Sequence, residues 1–141
     1  MTCRRPVSKL RFVITNQQPL VEPNPEGTLE ERALARLIAN RRTGYDPFYK
    51  VQYEYSIPSQ GRYHWQWFWD SCFHIIALAR LHPAMAIAEL DSLLTPQQAN
   101  GFIGHLTYWG RRGAIISAMH GQSRFGEWRR RHSGMIQPPV L

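Results

Sequence analysis

The sequence has little lysine and no long uninterrupted hydrophobic run. Only two of its 17 basic residues are lysines, Lys9 and Lys50. Its best apolar segment is broken by Asp70, His74 and Arg80 before it reaches the roughly 18 apolar residues that a membrane helix needs. We therefore expect no membrane-spanning segment and no association with a membrane.

Cysteine is also scarce. Cys3 lies in a polar tail and Cys72 in an apolar segment, so the pair does not suggest the disulfide framework of a small secreted protein. The apolar stretch at residues 12–14 is too short for the core of a secretory signal peptide. Aromatic residues make up 12% of the chain, which argues against disorder throughout. These observations predict a globular, cytoplasmic protein.

The net charge of +7 raises nucleic acid as a partner. The arginines, however, cluster at a terminus, at a predicted helix end and in glycine-rich loops rather than along one helix that could enter a groove. The main clusters are Arg4–Arg5, Arg41–Arg42, Arg111–Arg112 and Arg129–Arg131. Such clusters are typical of solvated surface, and the sequence disfavours nucleic acid as a partner.

Signatures of metal and cofactor binding are missing from the sequence. His74, His82, His120 and His132 have no cysteine or carboxylate at ligand spacing, so no metal site is expected. The chain has no phosphate-binding glycine motif and no nucleophile elbow. We expect no metal and no cofactor.

The first part of the chain divides at residue 28. Residues 1–27 contain several prolines and predict an irregular lead-in. Thr28 and Glu31 have the spacing of a capping box, which predicts an amphipathic helix of about four turns ending near Arg41–Arg42. Gly44 stops this helix, and residues 45–62 are predicted to be a loop.

Two further helices are predicted next in the chain. The first begins at Asp70 or Ser71 and is apolar on nearly every side, and the second begins at Pro83 after a very short link. They must fold back as a hairpin with one buried and one half-exposed helix. Such asymmetry is typical of an inner ring of helices wrapped by an outer ring. Residues 95–135 are predicted to form a long structured loop, so the expected fold class is all-α.

The most unusual segment runs from Tyr63 to Asp70. If it is extended, Tyr63, Trp65, Trp67 and Trp69 point to one side, followed at once by a carboxylate. Aromatic faces stack on the C–H faces of sugars while a carboxylate accepts hydrogen bonds from hydroxyls. The alternatives are that the aromatic residues belong to the core and that Asp70 only caps a helix, although Ser71 offers a second cap.

A series of motifs in this order resembles the mannosylglycerate hydrolase-like glycosidases of glycoside hydrolase family sixty-three. The series is Trp67–Ser71, Phe73–His74, Glu89–Leu90, Leu93–Leu94, Gln97–Gln98, Asn100–Ile103, His105, Tyr108–Trp109 and Gln137–Pro139. The resemblance covers about residues 28–141. Gly104 replaces a proline and His82 an aspartate that are usual in the family, and residues 110–132 do not align.

The resemblance implies an (α/α)6 barrel, of which residues 28–141 would form the N-terminal portion: one outer helix, one inner/outer hairpin and long loops, an incomplete barrel. It also implies substrate-binding roles for Tyr63, Trp67, Trp69, Asp70, His105 and Gln137. From the residues alone, His105 lies in a turn that could present its ring to a pocket, or it only makes structural hydrogen bonds. The family's catalytic acid and base would lie beyond Leu141. Glu54 and Glu127 are interpreted as surface residues.

Three hypotheses follow. The first is a truncated or split inverting glycosidase that is inactive alone, takes a small saccharide or glycosyl-glycerate as substrate and is completed by another chain. The second is a non-catalytic saccharide-binding module. The third is a basic nucleic-acid-binding protein.

Overall fold

The computed structural model describes residues 25–120, 126–127 and 131–135, so most of the expected lead-in lies outside it. The described helices and strands, in chain order, are α1 (Leu29–Asn40), β1 (Arg41–Asp46), β2 (Val51–Ser56), β3 (Gln66–Trp67), α2 (Phe68–Leu81), α3 (Pro83–Leu94), β4 (Leu106–Thr107), α4 (Gly110–His120), β5 (Gly126–Glu127) and β6 (His132–Ser133). None of these helices is both long and apolar enough to cross a membrane.

The prediction of an all-α fold is wrong, because the described residues also form two antiparallel sheets. Strands β1 and β2 pair from Arg41 opposite Ser56 to Asp46 opposite Val51. This hairpin occupies much of the segment predicted to be a loop. Tyr53 and Tyr55 alternate along β2 and pack with Trp109, and this contact with a distant residue stabilises the hairpin.

Helix α1 begins as predicted but ends earlier. Thr28 accepts a hydrogen bond from the Glu31 N–H, and the Glu31 carboxylate accepts one from the Thr28 N–H, which confirms the capping box. The helix ends at Asn40, and the two arginines expected in its last turn begin β1 instead. Arg41 donates two hydrogen bonds to Glu54 on the facing strand, at 2.7 and 2.5 Å.

The two predicted hairpin helices, α2 and α3, are confirmed. His82 alone separates them, its ring accepts a hydrogen bond from the Met85 N–H, and Pro83 is the first residue of α3. Two apolar clusters fix the hairpin. One contains Phe68, Cys72, Leu93 and Ile103, and the other Leu78, Met85 and Ala86 with the α1 residues Leu34 and Leu37.

Helix α3 turns a polar face inward. The outer edge of β2 would otherwise leave two backbone N–H groups unpaired, and side chains of α3 accept from both. Ser92 Oγ accepts from the Glu54 N–H at 2.8 Å, and a Glu89 carboxylate oxygen accepts from the Ser56 N–H at 3.1 Å. Ile87 on the opposite face is therefore 61% exposed, although it is apolar.

The predicted long loop at residues 95–135 contains regular structure. Helix α4 lies within it, and β4 links β3 to β6, which in turn pairs with β5. Each of these four strands is two residues long and has no hydrophobic period of its own. Pairing between segments far apart in the chain therefore creates this sheet.

Gly104 lies where the backbone of β6 passes very close. A Cβ atom on Gly104 would lie 2.4 Å from the Ser133 carbonyl oxygen and 2.8 Å from His132 Nδ1. We expect Gly104→Ala to lower the free energy of unfolding by about 3 kcal/mol, the upper end for overpacking, because a backbone atom must move. Urea denaturation followed by tryptophan fluorescence measures this change. Ala99→Gly, at an exposed position nearby, is the control; equal stability of Gly104→Ala and the parent chain would contradict this packing.

Candidate functional site

Strand pairing brings Trp67 and His105 together. Trp67 on β3 lies opposite Leu106 on β4, and the Phe68 N–H donates to the His105 carbonyl at 2.9 Å. The Trp67 and His105 ring centroids are 5.6 Å apart, and the Tyr63 ring meets Trp67 edge-on at 5.8 Å. Tyr63, Trp67 and His105 form what we call the aromatic cluster. Three of the predicted site residues therefore meet although 38 positions separate Trp67 from His105.

The segment containing these aromatic residues is not extended throughout. Helix α2 begins at Phe68, so Trp69 lies in its first turn, where its ring contacts Phe73 at 5.9 Å. Trp65 contacts Tyr108 instead, at 5.5 Å. The described ring contacts thus divide the four aromatic residues among three groups rather than placing them together on one face.

Asp70 and Ser71 do not cap helix α2. The N-cap is Trp67, which makes no side-chain capping bond, and Asp70 is the third residue of the helix. A carboxylate in the first turn is favoured by the helix dipole. Asp70 is partly exposed, and its carboxylate makes no hydrogen bond or ion pair to the residues that the structure describes. Its carboxylate is therefore available to accept hydrogen bonds from a ligand.

The indole N–H of Trp67 is the one donor of the aromatic cluster that is buried without a partner among the described residues. A buried donor without an acceptor is rare and costly in folded proteins. Because this nitrogen has almost no exposed surface, a ligand hydroxyl could accept from it only after neighbouring atoms move. Donor and aromatic face would then belong to one side chain.

Ser133 on β6 and Met135, two residues further along the chain, hold His105 in place. Its ring Nδ1 lies 2.6 Å from Ser133 Oγ, and its backbone N–H donates to the Met135 carbonyl at 2.7 Å. Sequence reasoning missed Ser133, because no motif marks it and the contact spans 28 positions. Gln137, the remaining predicted site residue, lies outside the described residues.

A buried polar network is centred on the side chain of Gln66, the first residue of β3. Gln66 accepts a hydrogen bond from Trp109 Nε1 at 2.8 Å and donates to Ser71 Oγ at 3.2 Å and to the Glu89 carbonyl at 3.4 Å. Gln66 is only 1% exposed. It thereby connects the strand bearing Trp67 to α2, to α3 and to the start of α4.

A second buried network centres on Asp46. Its carboxylate accepts from the N–H groups of Phe48, Tyr49 and Gly110 and pairs with Arg131 at 2.6 Å. Burial alone would raise the pKa of Asp46, but these hydrogen bonds outweigh it and the pKa is lowered. Gly110 has φ of +70°, a conformation that favours glycine, and this directs its N–H at the carboxylate.

Several other carboxylates have structural partners. Glu54 binds Arg41, Glu31 completes the α1 cap, and Glu89 lies 3.2 Å from His74 Nδ1 while accepting the backbone N–H of Ser56. The Glu127 side chain lies outside the described residues.

In the ranges that the structure covers, no three His, Cys, Asp or Glu residues converge on a possible metal position. Burial, with Glu89 nearby, raises the pKa of the Cys72 thiol, which makes it a poor nucleophile.

A surface groove of about 430 Å³ is lined by other residues, including Phe48, Gln97, Gln98, Asn100 and His132. Its polar side chains make bonds within the fold. Gln97 donates to the Gly101 carbonyl, Asn100 accepts from the Phe102 N–H, and the Gln98 amide lies 3.4 Å from His132 Nε2. These groups stabilise the turn after α3.

Comparison with known families tests the resemblance seen in the sequence. Residues 63–141 match the model of the mannosylglycerate hydrolase MGH1-like glycoside hydrolase domain. The chain belongs to this family. The match includes the aromatic cluster, Trp69, Asp70 and Gln137, and it confirms the family predicted from the motifs.

Individual relatives agree with this assignment. The chain is 32% identical over 88 residues to mannosylglycerate hydrolase MGH2 of Selaginella moellendorffii, covering 61% of this chain and 17% of that protein. It is 34% identical over 82 residues to the glucosylglycerate hydrolase of Mycolicibacterium hassiacum, covering 52% and 18%. For the mannosylglycerate hydrolase of Rubrobacter radiotolerans the identity is 33% over 91 residues, covering 62% and 21%. The matched segment thus spans about a fifth of these relatives. No solved structure matches the chain.

Proposed function

We propose that this chain supplies part of the glycosyl-binding subsite of an inverting glycoside hydrolase that acts on mannosylglycerate or glucosylglycerate. The observation that carries the proposal is the contact of Trp67 with both Tyr63 and His105 at the start of α2, the helix whose third residue is Asp70. Trp69 and Gln137 complete the proposed set. Membership of the glycoside hydrolase family and the names of the relatives support this substrate class.

The chemistry of the aromatic cluster, together with that of Asp70, suits a pyranose ring. Trp67 offers an aromatic face and a donor, His105 offers a ring nitrogen, and Asp70 offers a carboxylate. Trp67 lies on β3 and Asp70 in the first turn of α2, and His105 directly precedes β4, where hydrogen bonds to Ser133 and Met135 fix it. A rigid arrangement lowers the entropic cost of binding a small ligand.

We further propose that the catalytic acid and base lie outside this chain. An inverting glycosidase needs two carboxyl groups roughly 6.5–9.5 Å apart, one to protonate the leaving group and one to activate water. The two buried carboxylates of the described residues, Asp46 and Glu89, both have structural partners, and Asp70 is assigned to sugar binding. The 141-residue chain is therefore expected to bind sugar without cleaving it.

The binding proposal predicts a clear effect of Asp70→Asn. This change keeps the shape of the side chain but removes the negative charge that would accept from sugar hydroxyls. Hydrogen bonds to charged groups contribute about 1.5–3 kcal/mol, so we expect Kd for glucosylglycerate or mannosylglycerate to rise about 10–100-fold. Calorimetric titration of the full 141-residue chain measures this, with quenching of tryptophan fluorescence as a second signal.

Asp91→Asn is the matched control, because Asp91 is exposed on α3 and its carboxylate has no described partner. It should leave binding unchanged. If Asp70→Asn binds both compounds as tightly as the parent chain does, Asp70 is not part of the subsite. Release of free mannose or glucose by the purified chain would contradict the proposed location of the catalytic pair.

The outer faces of the helical hairpin support the proposal that further helices complete the enzyme. Phe73 and Ile76 on α2 are 50% and 60% exposed, and Ile87 on α3 is 61% exposed. Large apolar side chains that are exposed on the faces of two helices are suited to packing against other helices. We propose that a complementary part of the family domain covers them, in the same or another polypeptide.

A second candidate function is a non-catalytic saccharide-binding module. The exposure of Tyr63 and Trp69, at 36% and 38%, favours it, because exposed aromatic rings can stack on sugars without further elements. Such a module would bind simple glycosides as well as it binds the glycerate compounds. Preference for a glyceryl carboxylate therefore separates the two functions.

A further inference from the structure

The His105 ring contacts Trp67 and, through Nδ1, Ser133 of strand β6. One side of the ring faces Trp67, and Nδ1 faces Ser133 Oγ at 2.6 Å and the Met135 carbonyl at 3.4 Å. The other ring nitrogen, Nε2, makes no hydrogen bond to the residues that the structure describes. The tautomer of His105 therefore decides whether Nε2 donates to a ligand or accepts from one.

The hydrogen bonds of Ser133 distinguish the two tautomers of His105. Ser133 is 5% exposed, and its Oγ accepts from the buried Leu106 N–H at 3.3 Å. Among the described residues, its own hydroxyl hydrogen has two possible acceptors: His105 Nδ1 at 2.6 Å and the Met135 carbonyl at 3.5 Å. The Met135 carbonyl already accepts the His105 backbone N–H at 2.7 Å.

A hydrogen on Nδ1 would leave the Ser133 hydroxyl with a poor bond. Nδ1–H would donate to Ser133 Oγ, and the hydroxyl would have to donate across 3.5 Å, the outer limit for a hydrogen bond. A hydrogen on Nε2 lets Ser133 donate to Nδ1 across the short distance while still accepting from Leu106. The Ser133 hydroxyl, His105 Nδ1 and the Leu106 N–H then each have a partner, as is usual for buried polar groups.

We propose that Ser133 is a positioning residue that holds neutral His105 in the Nε2–H tautomer, so that His105 presents a hydrogen-bond donor to a sugar oxygen. The statement about substrate rests on the proposed function, whereas the statement about the tautomer does not. Ser133 acts through His105 and need not touch the sugar. Asp70 would accept from hydroxyls while His105 donates to an oxygen, so the two groups have complementary roles.

The test is the ¹⁵N chemical shifts of the His105 ring in the full 141-residue chain, measured at about pH 9, well above the ordinary imidazole range. The signal is assigned by its loss in His105→Gln. We expect the Nε2–H tautomer in the parent chain and in Ser133→Thr, which keeps the hydroxyl. In the part of the chain that the structure describes, Ser133→Ala leaves Nδ1 with the Met135 carbonyl as its one partner, and we expect the population to shift toward Nδ1–H. Its Kd for mannosylglycerate should rise about tenfold.

Each result has a distinct meaning. Nδ1–H in the parent chain overturns the inference whether or not sugar binds, and so does an unchanged tautomer in a folded Ser133→Ala. The expected tautomers without binding of mannosylglycerate or glucosylglycerate support the role of Ser133 and contradict the proposed function. If Ser133→Ala does not fold, the parent chain and Ser133→Thr still decide the tautomer.

Discussion

Asp46→Asn is expected to lower the free energy of unfolding by about 3–5 kcal/mol, the usual effect of breaking a buried ion pair from one side. Asp46 is fully buried and Arg131 is 6% exposed, so neither group can turn to water. The new N–H₂ group would face the Gly110 N–H and the Arg131 guanidinium in one orientation of the amide, and the N–H groups of Phe48 and Tyr49 in the other. Either orientation leaves donors facing donors. With a urea slope of about 2 kcal/mol/M, the midpoint would fall by about 2 M.

Asp91→Asn, the same change at an exposed site, should alter stability by less than about 0.5 kcal/mol. The double variant Asp46→Asn with Arg131→Met should be less destabilised than the sum of the two single variants, because the unpaired cation is gone. Additive effects would show that the ion pair makes no contribution. Unchanged stability of Asp46→Asn alone would show that the network is not formed.

The pH dependence of the free energy of unfolding tests the contribution of the Asp46 carboxylate. Its pKa is lowered in the folded state, so the unfolded chain binds its proton more readily. The stabilisation is therefore complete above the unfolded pKa of about 3.9 and is lost as the pH falls through that value toward the folded pKa. The parent chain should lose stability over this acidic range, and the part due to Asp46 should be absent in Asp46→Asn.

These contacts show why the sequence predicted the helices better than the sheets. A capping box such as Thr28 with Glu31, or a proline that begins a helix such as Pro83, involves residues a few positions apart. The hairpin of β1 and β2 depends instead on Arg131, 85 positions from Asp46. No local pattern carries such a contact, and a two-residue strand such as β4 is too short to show alternation.

The candidate site likewise contains residues that the local sequence reveals and residues that only distant contacts reveal. Trp67 and Asp70 are recognisable from the sequence because aromatic rings beside a carboxylate are an unusual local combination. His105 gained its role there only through the family resemblance, and the structure places it against Trp67 through the pairing of β3 with β4. Ser133 could not be found, because a buried serine has no sequence signature and its effect depends on one distance to Nδ1.

Trp109→Ala is expected to destabilise the protein by about 3–5 kcal/mol, as large aromatic truncations in a core do. Trp109 is 2% exposed and stacks on Tyr53 with ring centroids 5.1 Å apart. It also lies 5.5 Å from Tyr49. Removing the indole leaves a cavity where the hairpin, β3 and α4 meet. Urea denaturation measures the change, and Trp69→Ala, at an exposed position, is the control.

Trp109→Phe separates packing from hydrogen bonding. Phenylalanine retains most of the ring but cannot donate to Gln66, whose buried Oε1 would lose its partner at a cost of about 1–3 kcal/mol. Gln66 directly precedes Trp67 and also binds Ser71 in α2, so its side chain couples the core to the aromatic cluster. We therefore expect Trp109→Phe to weaken saccharide binding although Trp109 is buried and outside the site. Unchanged binding with lowered stability would show that the aromatic cluster keeps its geometry without Gln66.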